Sequence, residues 1–281
     1  MRSNNQNIYW IDLLRAICMV WIVCIWHIRD YLPGIFFSKA HMDAIGEGIT
    51  MVVLMIFTLI SGFLMSKYSF GSINDVLNFY KKRFIRFYPL YMVAVSCFYL
   101  FDFYTFRTTI KCLLGVALFN NSAPFTLWYM CMLMVFYALT PILNWKFCSV
   151  RSNIIVAVVL LLILFVLWLS DISHFNLVLY APAYIIGLFL GRKQLFVSNS
   201  PNKLGHVHTY IHIIAYSSFC AYLFHRVIFV ATANIFNHEW VTGNILVPMT
   251  IPCAIVAVVI TFFSSYIIQR GYDYIIKSLT R

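Results

Sequence analysis

Three ionisable side chains interrupt an apolar run near the start of the chain. They are Asp12, Arg15 and His27, within YWIDLLRAICMVWIVCIWHIR, residues 9–29. A helix needs about 20 apolar residues to cross a bilayer, and this run has that length. A charge inside such a span costs at least about 2.5 kcal/mol, which makes an intramembrane ionisable group a functional candidate. His27 lies between Trp26 and Ile28 and has no acidic residue in the turn before it. An imidazole there is placed to take up and release a proton near neutral pH. Asp12 and Arg15, three residues apart, are spaced to pair with each other at the headgroups. Arg15 is equally placed to meet an anion or a developing negative charge.

A second ionisable pair, His225 and Arg226, falls inside the apolar stretch 210–236. Two readings of it stand open. It contacts a substrate or carries a proton out, or His225 is a buried histidine satisfied by a backbone carbonyl or a tyrosine. His208 and His212 share a helix face, but no third ligand accompanies them, so no metal site is expected. Lys81, Lys82, Arg83 and Arg86 form a basic cluster. Arginine forks suit phosphate, and cytoplasmic loops of membrane proteins also collect such charge.

The elements that position these groups follow from composition. The chain has 281 residues, 62% hydrophobic and 10% charged, against about 25% charged in a soluble domain. That predicts an all-α, polytopic transmembrane bundle forming one membrane-embedded domain, residues 1–281. Apolar runs predict spans at 9–28, 46–66, 90–106, 127–145, 154–169, 175–190, 210–236 and 245–268, eight in all, or ten if shorter pieces cross. Residues 108–119 are apolar but short, as in a re-entrant or interfacial piece. The tail QRGYDYIIKSLTR has the character of a membrane-surface helix. The first span is too long for a signal-peptide core and is expected to stay.

The net charge of +11 is read as topology rather than nucleic-acid binding. With the N-terminus, the segments 67–86, 146–152 and 192–208 and the C-terminal tail in the cytoplasm, fourteen of the twenty basic residues lie inside, as the positive-inside rule expects. His27 then falls in the outer half of its span and Arg15 in the inner half. The eight cysteines show no metal or redox spacing and read as small apolar residues. Pro89, Pro141 and Pro182 are expected at helix ends or kinks, and Ser61 and Gly62 at a close helix contact. No dinucleotide, phosphate-loop, zinc-protease or serine-elbow motif occurs.

Five stretches, in order, resemble acyltransferase family 3, the integral-membrane O-acyltransferases of surface polysaccharides. They are IDLLRAICMVWIVCIWH, FTLISGFLMS, KKRFIRFYPLY, LWYMCMLMVFYALTPIL and YSSFCAYLFHRVIF. They are similar to the family's D-x-x-R with a following membrane histidine, its FxxSGFL element, its RxxRIxPxY element, its W-[YF]-L…FYLLxPxL element and its SYxxYLxH element. Two departures stand out. The family places ten residues between the arginine and the histidine, whereas eleven separate Arg15 from His27. At about 100° per residue the two groups move from about 20° to about 120° apart. Either a π-bulge takes up the extra residue or the groups line different sides of a cavity. Leu133 and Met134 stand where many members carry glutamate, as in the family's small O-acetyltransferases.

The resemblance implies transfer of an acetyl group, or less readily a succinyl group, from cytoplasmic acyl-CoA to a hydroxyl of a cell-surface or lipid-linked polysaccharide. His27 would be the base and Arg15 its catalytic companion. Arg83, Arg86 and Lys82 would hold the donor. Trp128, Tyr137, Tyr222 and His225 would line the acceptor's path; Tyr129 reads as an interfacial anchor, and Ser61 as an acyl carrier has little in its favour. The expected setting is a bacterial inner membrane, with the chain acting alone or beside glycan-assembly proteins. A transporter or flippase of a glycan or small anion is the competing class, since intramembrane Arg and His also suit a substrate path; no inverted repeat supports it. An inactive family member is the third.

Overall fold

The computed structural model describes residues 9–32, 39–119, 123–145, 150–192, 206–237 and 248–279. They are helical, with no strand among them; single bridges join Phe70 to Trp145 and Phe119 to Ser173. The all-α, polytopic expectation holds. The chain divides into two compact units, residues 1–54 with 196–281, and residues 55–195.

The first unit is built on α1 (Tyr9–Val20), α8 (His206–Asn237) and α9 (Ile251–Leu279), with the N-terminal half of α2 (Lys39–Met65). Helix α1 runs on without a break into a π-helical segment, Trp21–His27, and a 3-10 turn, Ile28–Tyr31. Contacts of α1 and its continuation with α8 rise in step along both helices, Asp12 with His212 and Asp30 with Arg226, so the two are parallel. Helix α9 runs back along α8, with Tyr216 bonded to Asp273 and Cys220 to Gln269. The starts of α1 and α8 and the end of α9 therefore share one end of this unit. The tail expected as a separate surface helix is the continuation of α9, because nothing between Ile268 and Tyr272 stops a helix.

The second unit holds α3 (Ile73–Leu100), α4 (Phe106–Leu113), α5 (Trp128–Leu143), α6 (Val150–Leu169), α7 (Phe175–Arg192) and the C-terminal half of α2. A capping box starts α3. Ser72 Oγ accepts from Asp75 N, and the Asp75 carboxylate accepts from Ser72 N, satisfying two amides that a helix start leaves open. The basic cluster expected in a loop thus lies on the first half of α3. The short α4 rises about 12 Å and does not span. Helices α2 and α7 meet backbone to backbone: a Cβ on Gly62 would strike the Tyr184 carbonyl, and one on Gly187 the Leu59 carbonyl. The close contact expected at Gly62 is there. Its partners, Gly187 and Gly191, form a small-xxx-small pair that the sequence reading passed over.

Among the described residues six helical runs are long and apolar enough to cross a membrane: Tyr9–Tyr31, Ala44–Met65, Arg151–Leu169, Phe175–Arg192, Thr209–Asn237 and Ile251–Ser278. The eight-span expectation adds α3 and α5. Helix α3 has the length but carries the basic cluster; α5, with 16 residues, rises about 24 Å. Pro89, Pro141 and Pro182 all lie inside helices. Of the cysteines, Cys18, Cys112, Cys131, Cys220 and Cys253 are buried, Cys24 and Cys97 half-buried, and Cys148 lies outside the described residues.

Candidate functional site

A polar seam joins α1 to α8. The Asp12 carboxylate sits 2.9 Å from His212 Nδ1, Arg15 Nη2 donates to Ser218 Oγ at 2.9 Å, His27 Nδ1 lies 2.6 Å from His225 Nε2, and Arg226 Nη2 reaches Asp30 Oδ2 at 2.8 Å. Asp12 thus faces His212 on α8, not only its own helix. Of the eight seam residues, Ser218, His225 and Arg226 are buried. Such groups are tolerated in a span when they are paired in its interior.

The π-helical segment makes this seam continuous. Each i→i+5 turn holds one residue more than an α-turn, so the eleven residues between Arg15 and His27 keep the phase of ten. The partners confirm the phase. Ser218 and His225 are seven residues apart on an uninterrupted α-helix, two turns along one face. Arg15 and His27 reach that same face, and of the two ways to accommodate the extra residue the π-segment is the one found. Around it, Trp21 Nε1 donates to Thr50 Oγ1 at 3.0 Å. Trp26 lies where a Cβ on Gly46 would be, and the Arg29 guanidinium covers the Trp26 ring at 3.6 Å.

The two histidine rings are parallel within 1°, with centroids 4.7 Å apart. Parallel faces in contact stand about 3.5 Å apart, more than the 2.6 Å between the facing nitrogens. The rings therefore meet edge to edge in nearly one plane, the geometry of a hydrogen bond and not of a stack. His225 is wholly buried, and its Nδ1 faces the carbonyls of Tyr222 at 2.9 Å and Ala221 at 3.1 Å. The backbone-satisfied reading of His225 is met by that nitrogen, and the other nitrogen is turned to His27. Tyr222 is buried, its ring 6.0 Å from that of His225. Arg15 and His27 are held apart: their partners on α8 are separated by about 10 Å of rise. One carbonyl oxygen within about 3 Å of both is out of reach.

In the second unit, the basic cluster divides. Lys82 and Arg86 share an exposed face of α3. Arg83 turns inward, donating to Tyr68 Oη at 2.6 Å, with the rings of Tyr68, Phe79 and Tyr137 at 4.9, 5.7 and 6.0 Å. Arg83 and Tyr137 are thus neighbours. Arg192, at the end of α7, donates to Asn144 Oδ1 and to the Leu143 carbonyl, each at 2.6 Å, closing the C-terminus of α5 as a basic residue does at a helix end. Trp128 packs on Tyr180 at 5.7 Å. Tyr129, expected as an interfacial anchor, is instead buried, its hydroxyl 3.2 Å from Thr58 Oγ1, because it lies on the face that α5 turns inward.

The sequence profile of an acyltransferase domain, Acyl_transf_3, matches residues 8–207, well over half of the chain. The chain belongs to acyltransferase family 3. It is accordingly a multi-pass membrane protein with an acyltransferase domain. No curated protein and no solved structure matches it. The family match contains Arg15, His27, Arg83, Trp128 and Tyr137 but ends at residue 207, within the first turn of α8. In this family 3 chain, Ser218 and His225, the partners of Arg15 and His27, come from outside the matched stretch.

Sequence reasoning missed Ser218, although it is the third residue of the last of the five family-like elements, four residues before Tyr222. It also missed the pairs Asp12–His212 and Asp30–Arg226, for which no local signal exists: each spans nearly 200 residues of chain. The side chain of His208 lies outside the described residues. Among the described residues no three of His, Cys, Asp and Glu come together as a metal site would need.

Proposed function

We propose that the chain is an O-acetyltransferase that moves an acetyl group, with succinyl as the less favoured donor, from cytoplasmic acetyl-CoA to a hydroxyl of a surface or lipid-linked polysaccharide. The observation that carries the reading is the His27–His225 contact inside a membrane span, with Arg15 on the same face of α8. Family membership supports acyl transfer. The apolar pair Leu133 and Met134 supports the small O-acetyltransferase subgroup. In the reaction, His27 takes the proton of the acceptor hydroxyl as its oxygen bonds to the thioester carbon. The carbon–sulfur bond then breaks, and the imidazolium returns the proton to the departing thiolate, leaving the ester and free CoA.

Arg15 serves the donor rather than the reacting carbonyl, since about 10 Å separates its contact on α8 from that of His27. A positive fork at that depth suits the pantetheine arm or a phosphate. Lys82 and Arg86, on the exposed face of α3, suit the more distal phosphates, and Arg83 with Tyr137 the approach to the membrane. Trp128 and Tyr222 belong to the acceptor's path. The orientation has both chain ends in the cytoplasm of a bacterial inner membrane, where acetyl-CoA is made. That α8 returns parallel to α1 supports it: the chain must cross an odd number of times between them, and α2, α3, α5, α6 and α7 supply five crossings.

The test uses inverted membrane vesicles from a bacterial host expressing the protein, with acetyl-CoA carrying a labelled acetyl group. Label is expected in the extracted polysaccharide, in an alkali-labile ester. Vesicles that consume no acetyl-CoA beyond the empty host, while containing the protein, would contradict the reading and favour a transport role.

A further inference from the structure

We propose that His225 is the positioning residue that fixes the proton of His27 on Nδ1 and so leaves Nε2 as the basic atom. The inference rests on the reading of His27 as the base, and adds to it which nitrogen acts and what holds it.

The argument starts from the backbone of α8. The carbonyls of Tyr222 and Ala221 face His225 Nδ1 at 2.9 and 3.1 Å. A carbonyl only accepts, so His225 Nδ1 carries a hydrogen. A neutral imidazole has a single N–H, which makes His225 Nε2 an acceptor. That nitrogen lies 2.6 Å from His27 Nδ1, with the rings in one plane, so the lone pair of one ring points at the N–H of the other. Two lone pairs, or two N–H groups, brought to that distance would repel. His27 must donate from Nδ1, and its free lone pair is on Nε2, the far side of the ring.

Burial divides the labour. His225 is wholly buried, while His27 is half-buried. A substrate hydroxyl can reach only His27, and His225 acts through it. The arrangement has the logic of a triad, in which a third group sets the tautomer of the base and holds the imidazolium that forms. Here the orienting group is a second imidazole whose own tautomer is set by helix carbonyls. When His27 Nε2 takes the hydroxyl proton, the Nδ1–H···Nε2 bond becomes charge-assisted and holds the ring more strongly. The π-segment, Trp21–His27, delivers His27 to this partner; an α-helix of the same length would turn it about 100° away.

Two substitutions separate positioning from mere packing. His225→Phe keeps a ring and removes the acceptor. His225→Gln places an amide oxygen near the position of Nε2 and restores it. With purified protein, labelled acetyl-CoA and polysaccharide extracted from the host, His225→Phe is expected to lower kcat about 100-fold, the low end of what acid–base catalysis contributes. KM for acetyl-CoA should move less than about threefold, and His225→Gln should recover at least about tenfold of the loss. Nitrogen-15 NMR of histidine-labelled protein in detergent reads the tautomer directly, with the His27 resonance assigned by its loss in His27→Asn. His27 of the wild type should carry its proton on Nδ1, and that preference should vanish in His225→Phe. A wild-type His27 protonated on Nε2 would overturn the inference, as would a folded His225→Gln no better than His225→Phe. A wild type that turns over no acetyl-CoA would sink the acyl-transfer reading instead, and the nitrogen shifts would still decide the tautomer.

Discussion

The molecule joins parallel helices in two opposite ways. In the second unit, α2 and α7 meet through Gly62, Gly187 and Gly191, so closely that backbone lies on backbone. In the first, α1 and α8 meet through paired polar groups: Asp12 with His212, Arg15 with Ser218, His27 with His225 and Asp30 with Arg226. Small residues are the economical way to join helices in lipid, because no polar group has to leave water. Ionisable groups in a span are costly, and a seam made of them is not needed for adhesion. The glycine seam is explained by packing alone. The polar seam asks for chemistry, and the π-segment that departs from regular helix ends where the two histidines meet.

That contrast breaks most sharply at the π-segment. Inserting an alanine after Cys24 adds a residue that the seam has no slack to absorb. It should turn His27 off the α8 face and abolish acetyl transfer, by more than about 100-fold, with membrane abundance kept. Deleting Cys24 should let the segment close into an α-helix with His27 still on that face, and activity should stay within about tenfold of wild type. Equal loss in both would show that the phase is not what matters.

The glycine seam should respond in the other observable. Gly187→Val drives a side chain into the Leu59 carbonyl, an overpacking that costs about 1–3 kcal/mol. Folded protein in detergent should fall and its melting temperature with it, while the residual folded fraction keeps its KM. A normal melting temperature would contradict a close backbone contact at Gly187.

Much of this was legible from sequence, and the parts that were not share a cause. Apolar runs mark the helices because lipid demands long apolar segments. Their ends were misplaced where charge was read as loop: Lys81 to Arg86 sit on α3, started by the Ser72–Asp75 capping box, and the tail after Ile268 continues α9. The eleven-residue gap after Arg15 announced an irregularity, and a π-bulge was one of two answers. What fills the other side of the seam was not legible. Ser218 and His225 lie some 200 residues downstream of Arg15 and His27, and no local pattern says which face of α8 will meet α1. Gly187 and Gly191 were visible as a pair, but not as the partners of Gly62.

Smaller effects test the division of roles along the polar seam. Arg15→Gln should raise KM for acetyl-CoA about tenfold, a loss of roughly 1.4 kcal/mol of donor binding, with kcat lowered less. A fall in kcat at unchanged KM would return Arg15 to the reacting carbonyl. Asp12→Asn should change either constant by less than about threefold, since its partner His212 is half-exposed and pairs of that kind contribute about 1 kcal/mol or less.

The central claim is that His27 performs acyl transfer. It is met most directly in cells, with a host lacking the gene and expressing either the wild type or His27→Ala at matched membrane abundance. The O-acetyl content of extracted surface polysaccharide is read by proton NMR. An acetyl signal with the wild type that disappears with His27→Ala is the expected result, and the same spectrum names the modified sugar. An acetyl signal that survives in His27→Ala would contradict the assignment of the base, and with it the account of why the two histidines meet.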